Sequence, residues 1–200
     1  MNWSVTLHAK VCKAIPRLPV RVRATLALLL REIELNGPAR GDWPNYGKPG
    51  KDTYHCLLKK GQLTYVVVWQ VTDKAIRLVE ITMLEPTKKR PTEIELRFKG
   101  PEHKQQEAVN VLREMGFVPV EPSNTGTPWQ ASFPALEENA AGVYLAGARH
   151  REGLTQHQLA ERCGLPQRHI SEMENGKRPI GKENAKRLAA ALHTDYRVFL

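Results

Sequence analysis

The chain has 200 residues, 41% hydrophobic and 26% charged, which allows one large domain or two small ones. Plentiful, patterned Leu, Val and Ile exclude a disordered chain, and the longest apolar stretch, Ala24–Leu30, is far short of the ~20 residues of a spanning helix. The net charge of +9 is unevenly spread: residues 1–91 hold 16 Lys+Arg against 7 Asp+Glu, residues 92–137 hold 4 against 7, and residues 138–200 hold 10 against 7. So basic a first segment points to a polyanionic partner, most often nucleic acid. Met1-Asn2-Trp3-Ser4 lacks the charged, then apolar, order of a secretory leader, so a cytoplasmic protein with no membrane partner is expected. Cys12, Cys56 and Cys163 are odd in number and far apart. They support neither a disulfide framework nor a metal site, and are expected as small buried hydrophobes.

Trp3–Leu7 alternates as a short strand. Val11, Ile15 and Leu18 predict one helix. The set from Val20 to Leu35 predicts a second, opened near Pro19 and closed by Asn36-Gly37-Pro38. After a Gly/Pro/Asn-rich loop, Tyr54–Lys59, Leu63–Val71 and Ala75–Met83 read as three strands joined by hairpins. The apolar run Tyr65–Trp69 predicts a central strand buried on both faces. The predicted order is β-α-α-β-β-β. Beyond Lys88-Lys89-Arg90-Pro91, Ile94–Phe98 alternates as a half-exposed strand. A helix follows with Ala108, Val109, Val111, Leu112 and Met115 near one face, stopped by Gly116. Residues 119–134 carry four prolines and read largely as linker, with Pro128–Phe133 returning as a short strand. From Glu138 the chain reads as short helices separated at Gly153, Gly164, Gly176 and Gly181.

Residues 153–177 carry the most specific signal. Thr155 and Gln158 form a capping box, Leu159 and Ala160 face a core, and Gly164 permits a tight turn. Ile170 and Met173 then bury one side of a helix whose other side presents Gln167, Arg168, Ser171 and Glu172. A helix, a turn and a second helix with long polar side chains near its start suit major-groove reading, since Gln pairs with adenine and Arg with guanine. These patterns, L-T-Q-x-x-L-A and I-S-x-x-E-N-G-K, resemble the Cro/C1-type (Xre) helix-turn-helix family over residues 138–200. The resemblance implies that Gln156, beside the capping Thr155, clamps phosphate. It implies that Gln167, Arg168 and Glu172 face base edges, and that Asn175, Lys177 and Arg178 contact the backbone; Ser171, on the same polar side, is a further DNA-binding candidate. It further implies operator DNA as partner and a homodimer. The competing reading is a purely structural dimerisation module.

The first 91 residues resemble RelE/HigB-like toxins, ribosome-associated mRNA nucleases. The likeness rests on element order, basic charge, Tyr54–Gly61 and Val68–Asp73. Metal-free RNA cleavage needs a base for the 2′-hydroxyl, cations for the phosphate and an acid for the leaving oxygen. His55, Lys59, Lys60, Lys88, Lys89 and Arg90 are the candidates, with His55, Leu57 and Lys59 on one strand face. No metal or cofactor is implied. Two departures stand out: Val66 or Thr64 occupies the place where the family commonly has a central-strand arginine, and no tyrosine follows Arg90.

The expectation is an α+β chain in three parts. Residues 1–91 are a RelE/HigB-like βααβββ domain, residues 92–137 a connecting, neutralising βα(β) segment, and residues 138–200 an all-α helix-turn-helix bundle. Together they predict a single-chain toxin–antitoxin fusion: a DNA-binding autorepressor carrying a restrained or inactive nuclease. The alternative is a competent ribosome-dependent mRNA endonuclease released by proteolysis in the linker.

Overall fold

The structure is a computed structural model that describes residues 3–61, 63–72, 75–84, 101–115 and 126–200. Alternation in the first residues forms β1 (Ser4–Leu7), which turns Val5 and Leu7 inward. His8 caps α1 (Ala9–Ala14), its Nδ1 accepting from the Lys10 amide at 3.2 Å. Pro16 then sits in a single 3-10 turn, and α2 (Val20–Asn36) starts behind Pro19. Gly37, at φ 88°, ends it in a conformation that favours glycine. Three antiparallel strands follow: β2 (Thr53–Lys60), β3 (Leu63–Thr72) and β4 (Ala75–Leu84). The expected βααβββ order is therefore present.

The sheet runs β2-β3-β4-β1-β5, with β1 parallel to β4. Its last strand, β5 (Thr127–Pro128), pairs with β1 and comes from the region read as linker. A 3-10 turn at Trp129–Ser132 replaces the longer strand expected at 128–133. It buries Trp129 against Phe133 and Tyr144, at ring-centroid distances of 5.7 and 6.4 Å. The prolines here accompany an anchor. The β3 expectation also needs correcting: Tyr65, Val67 and Trp69 are buried, but Val66 and Val68 are only half-buried. The helices cover one face of the sheet, so the apolar run alternates in burial.

The remaining helices are α4 (Ala135–Arg151), α5 (Gln156–Cys163), α6 (Gln167–Glu174) and α7 (Lys182–Leu192), closed by a 3-10 turn at Tyr196–Phe199. Helix α2 lies between the sheet and α4, which explains why residues 24–30 are buried around the whole helix. At the crossing Gly147 lets the backbones touch: a Cβ there would lie 2.3 Å from the Ala24 carbonyl oxygen. Glu32 of α2 is buried and accepts hydrogen bonds from Trp43, Arg151 and Thr194, joining the sheet half to the helical half.

Residues 1–85 and 126–200 form one compact unit, and residues 86–125 a second. The first unit thus joins chain that the sequence divides among a sheet domain, a connecting segment and a helical domain. In the second unit, a 3-10 turn at Glu102–Lys104 leads into α3 (Gln105–Glu114), none of whose residues is buried. The predicted strand Ile94–Phe98 and the stop at Gly116 lie outside the described residues, as do Lys88, Lys89 and Arg90.

Candidate nucleic-acid interface

The helical half builds its exposed face from local signals. The Thr155 hydroxyl accepts from the Gln158 amide at 3.1 Å, and Gln158 Oε1 accepts from the Thr155 amide at 2.9 Å, which completes the predicted capping box. Gly164, left-handed at φ 64°, ends α5 and turns the chain into α6. Leu159, Ile170 and Met173 are fully buried. That burial fixes the rotation of α6 and turns Gln167 and Arg168 outward. At the far end Asn139, where α4 kinks, donates from Nδ2 to the carbonyls of Met173 (3.2 Å) and Glu174 (3.0 Å). These carbonyls belong to the last turn of α6, where the Met173 carbonyl also accepts from the Gly176 amide at 3.2 Å.

A polar relay then organises the start of α6. Arg149 grips Glu174 with two parallel bonds, Nε to Oε1 at 2.6 Å and a terminal nitrogen to Oε2 at 2.8 Å, and donates to the Leu154 carbonyl at 2.9 Å. Glu174 Oε2 also accepts from Gln156 at 2.9 Å, and Gln156 Oε1 accepts from Gln167 at 2.8 Å. The buried pair thereby sets the first side chain of α5, which sets the first side chain of α6. Arg149 and Glu174 were not foreseen as site residues. They stand 25 positions apart and have no local periodicity to mark them.

Further along α6, Glu172 accepts from Arg168 and Arg178, each at 2.7 Å. Bonds from Arg178 and then Arg168 hold its carboxyl below the usual range. Asn175 donates to the Ser171 carbonyl at 2.8 Å. Gln167, Arg168, Ser171, Glu172, Asn175 and Lys177 line one open cavity of about 400 Å³. Gln156 adjoins it through Gln167, Arg178 through Glu172, and Thr155 caps the helix that carries Gln156. The predicted DNA-facing residues therefore converge on one surface. Glutamine, arginine and serine beside a flexible lysine supply donors and acceptors for base edges and phosphates.

In the sheet half the described candidates lie on β2. His55, Leu57 and Lys59 share the face of β2 turned away from the core, and Lys60 ends the strand. The register places Val68 and then Glu80 across from His55, and Thr82 donates to Glu80 at 2.7 Å. Val66 lies between Leu57 and Thr82. The loop before β2 pairs with its edge: the Gly47 amide donates to the His55 carbonyl at 3.0 Å, and the His55 amide to the Gly47 carbonyl at 2.9 Å. The imidazole lies so close beneath this loop that a Cβ on Gly47 would be 2.5 Å from its Cε1. Among the described residues no cluster of His, Cys, Asp or Glu could hold a metal ion, and no helix is long and apolar enough to cross a membrane. Cys56 and Cys163 are buried, and burial raises both thiols, whereas Cys12 is only half-buried, contrary to expectation.

Residues 147–199 match the helix-turn-helix family, and this part of the chain is a helix-turn-helix domain. Among solved structures, the chain is similar to the restriction-modification controller protein C.AhdI from Aeromonas hydrophila. The two are 30% identical over 32% of this chain and 97% of that one, with a TM-score of 0.31. No curated protein matches the chain.

Proposed function

We propose that this protein is a sequence-specific DNA-binding transcriptional regulator that reads an operator through α6 as a homodimer. The observation that carries this reading is the relay Arg149–Glu174–Gln156–Gln167, which holds the first residue of α6 in place on an exposed face. Preorganised side chains at the start of a recognition helix lose little freedom on binding. Gln167 and Arg168 contact base edges, Ser171 and Glu172 complete that surface, and Thr155, Gln156, Asn175, Lys177 and Arg178 position the phosphate backbone. Selection by the full chain from random duplexes tests the reading. Enrichment of a palindromic sequence is expected, and no enrichment overturns it.

The sheet half fits the same proposal as the toxin-like part of a toxin–antitoxin fusion, without a working nuclease. Val66 at the arginine position and His55 beneath the Gly47 backbone support an inactive reading. A released, competent ribosome-dependent mRNA nuclease is less favoured, because separating the halves would expose the face of α2 that α4 covers. Ribosome-bound mRNA should remain intact with the full chain, before and after proteolysis within residues 119–125. Cleavage abolished by His55→Ala would establish the nuclease instead.

A further inference from the structure

A second groove, of about 850 Å³, lies where the sheet half meets the helix-turn-helix. Gln167 lines both this groove and the cavity on α6, so the two adjoin at the start of that helix. Gln156, at the first turn of α5, stands on the groove wall. The lining also includes two exposed cations of the sheet half: Arg21, in the first turn of α2, and Lys59, near the end of β2. The other charges on its walls are already matched. Arg149 holds Glu174, and Arg151 holds Glu32 and also Glu152, the acidic side chain of the lining. Among the described residues neither Arg21 nor Lys59 makes an ion pair. Arg21 also helps hold the His150 imidazole neutral, so its cation is felt at the last turn of α4.

We propose that this groove carries the phosphate backbone flanking the base pairs read by α6, so that Arg21 and Lys59 make the sheet half part of the DNA-binding surface. The inference rests on the reading of α6 as a recognition helix. A duplex engaged there passes Gln156, and beyond Gln156 the surface continues into the groove. Two cations on different elements lining one groove suit a repeating polyanion. Phosphate contacts add affinity and fix orientation without adding sequence information. Lys59 is thus assigned to DNA positioning, where the sequence placed it in a nuclease.

The test measures binding of a mixed-sequence 30-bp DNA duplex to the full chain over a range of salt concentrations, for wild type, R21Q/K59Q and K177A. Each lost phosphate contact lowers the slope of log affinity against log salt by about 0.9. The double variant should therefore lose about two units of slope and roughly tenfold or more in affinity at 0.1 M salt. R21K/K59R, which keeps both charges, should restore binding. An R21Q/K59Q slope equal to wild type, with a reduced K177A slope, overturns the proposal and leaves the α6 reading standing. Failure of every protein to bind duplex overturns both. If the double variant loses a single-stranded 30-nucleotide RNA but keeps the duplex, the groove belongs to RNA and the proposal falls.

Discussion

Two arginines two residues apart on α4 divide the molecule. Arg149 turns to Glu174 on α6 and so to the proposed reading face, while Arg151 turns to Glu32 on α2 and so to the sheet half. Two residues along an α-helix are about 200° of rotation, so neighbouring positions serve opposite sides. Both ion pairs are largely buried, and each carboxylate has further donors. Their effects on the surface differ. The Arg149 pair passes order outward to Gln167, whereas the Arg151 pair ends in a joint of Trp43, Thr194 and the carbonyl of Leu192. Comparable burial therefore gives one half an ordered exposed face and the other a structural seam.

Breaking each pair in turn gives the largest expected effects. Glu32→Ala leaves Arg151 without its α2 carboxylate and Trp43 without an acceptor. Loss of one buried partner costs about 3–5 kcal/mol, readable by urea unfolding. The folded fraction should still select the same duplex sequence. Arg149→Ala should destabilise by a similar amount and also blur that sequence, because Glu174 no longer holds Gln156 and Gln167. Equal effects of both variants on selection would erase the contrast between the two pairs.

The next effect concerns the crossing itself. Gly147→Ala sets a methyl group against the Ala24 backbone, where no side-chain adjustment relieves it. Over-packing of this kind costs about 1–3 kcal/mol, and unfolding should become less cooperative if the halves separate. An unchanged urea midpoint would mean that α2 and α4 do not meet as described.

A smaller effect depends on pH. His150, half-buried beside Arg149 and Arg21 with Glu174 opposing them, is pushed down to about 4, chiefly by burial. The unfolded chain takes up this proton near 6.5, before the folded one does. Stability should therefore fall as pH drops from about 6.5 to 4 and level off below, as far as this group is concerned. His150→Gln should flatten that part of the thermal-melting profile, and an unchanged profile would remove His150 from the account.

The proposed reading face was legible because its fold depends on helical periodicity, a cap and a glycine turn, all encoded within about two dozen consecutive residues. Thr155, Gln158, Gly164, Ile170 and Met173 all occupy the places their spacing implies. The seam was less legible, although one signal was present. Ala24–Leu30 is apolar around the whole helix, which requires a second covering layer, and α4 provides it. Trp129 was read in a short strand returning from a proline-rich linker, and its burial beside Tyr144 on a 3-10 turn reveals an anchor instead. His55 and Lys59 were placed on the correct strand face. What the alternation of β2 does not encode is the Gly47 loop over one and the groove beside the other.

The most direct test of α6 as the reading element is to repeat the duplex selection with Arg168→Ala. An arginine contact to a base edge contributes about 1–3 kcal/mol of discrimination. The variant should lose preference at one base pair in each half-site and keep it at the others. An unchanged enriched sequence, or a uniform loss of affinity with every preference intact, would contradict the account.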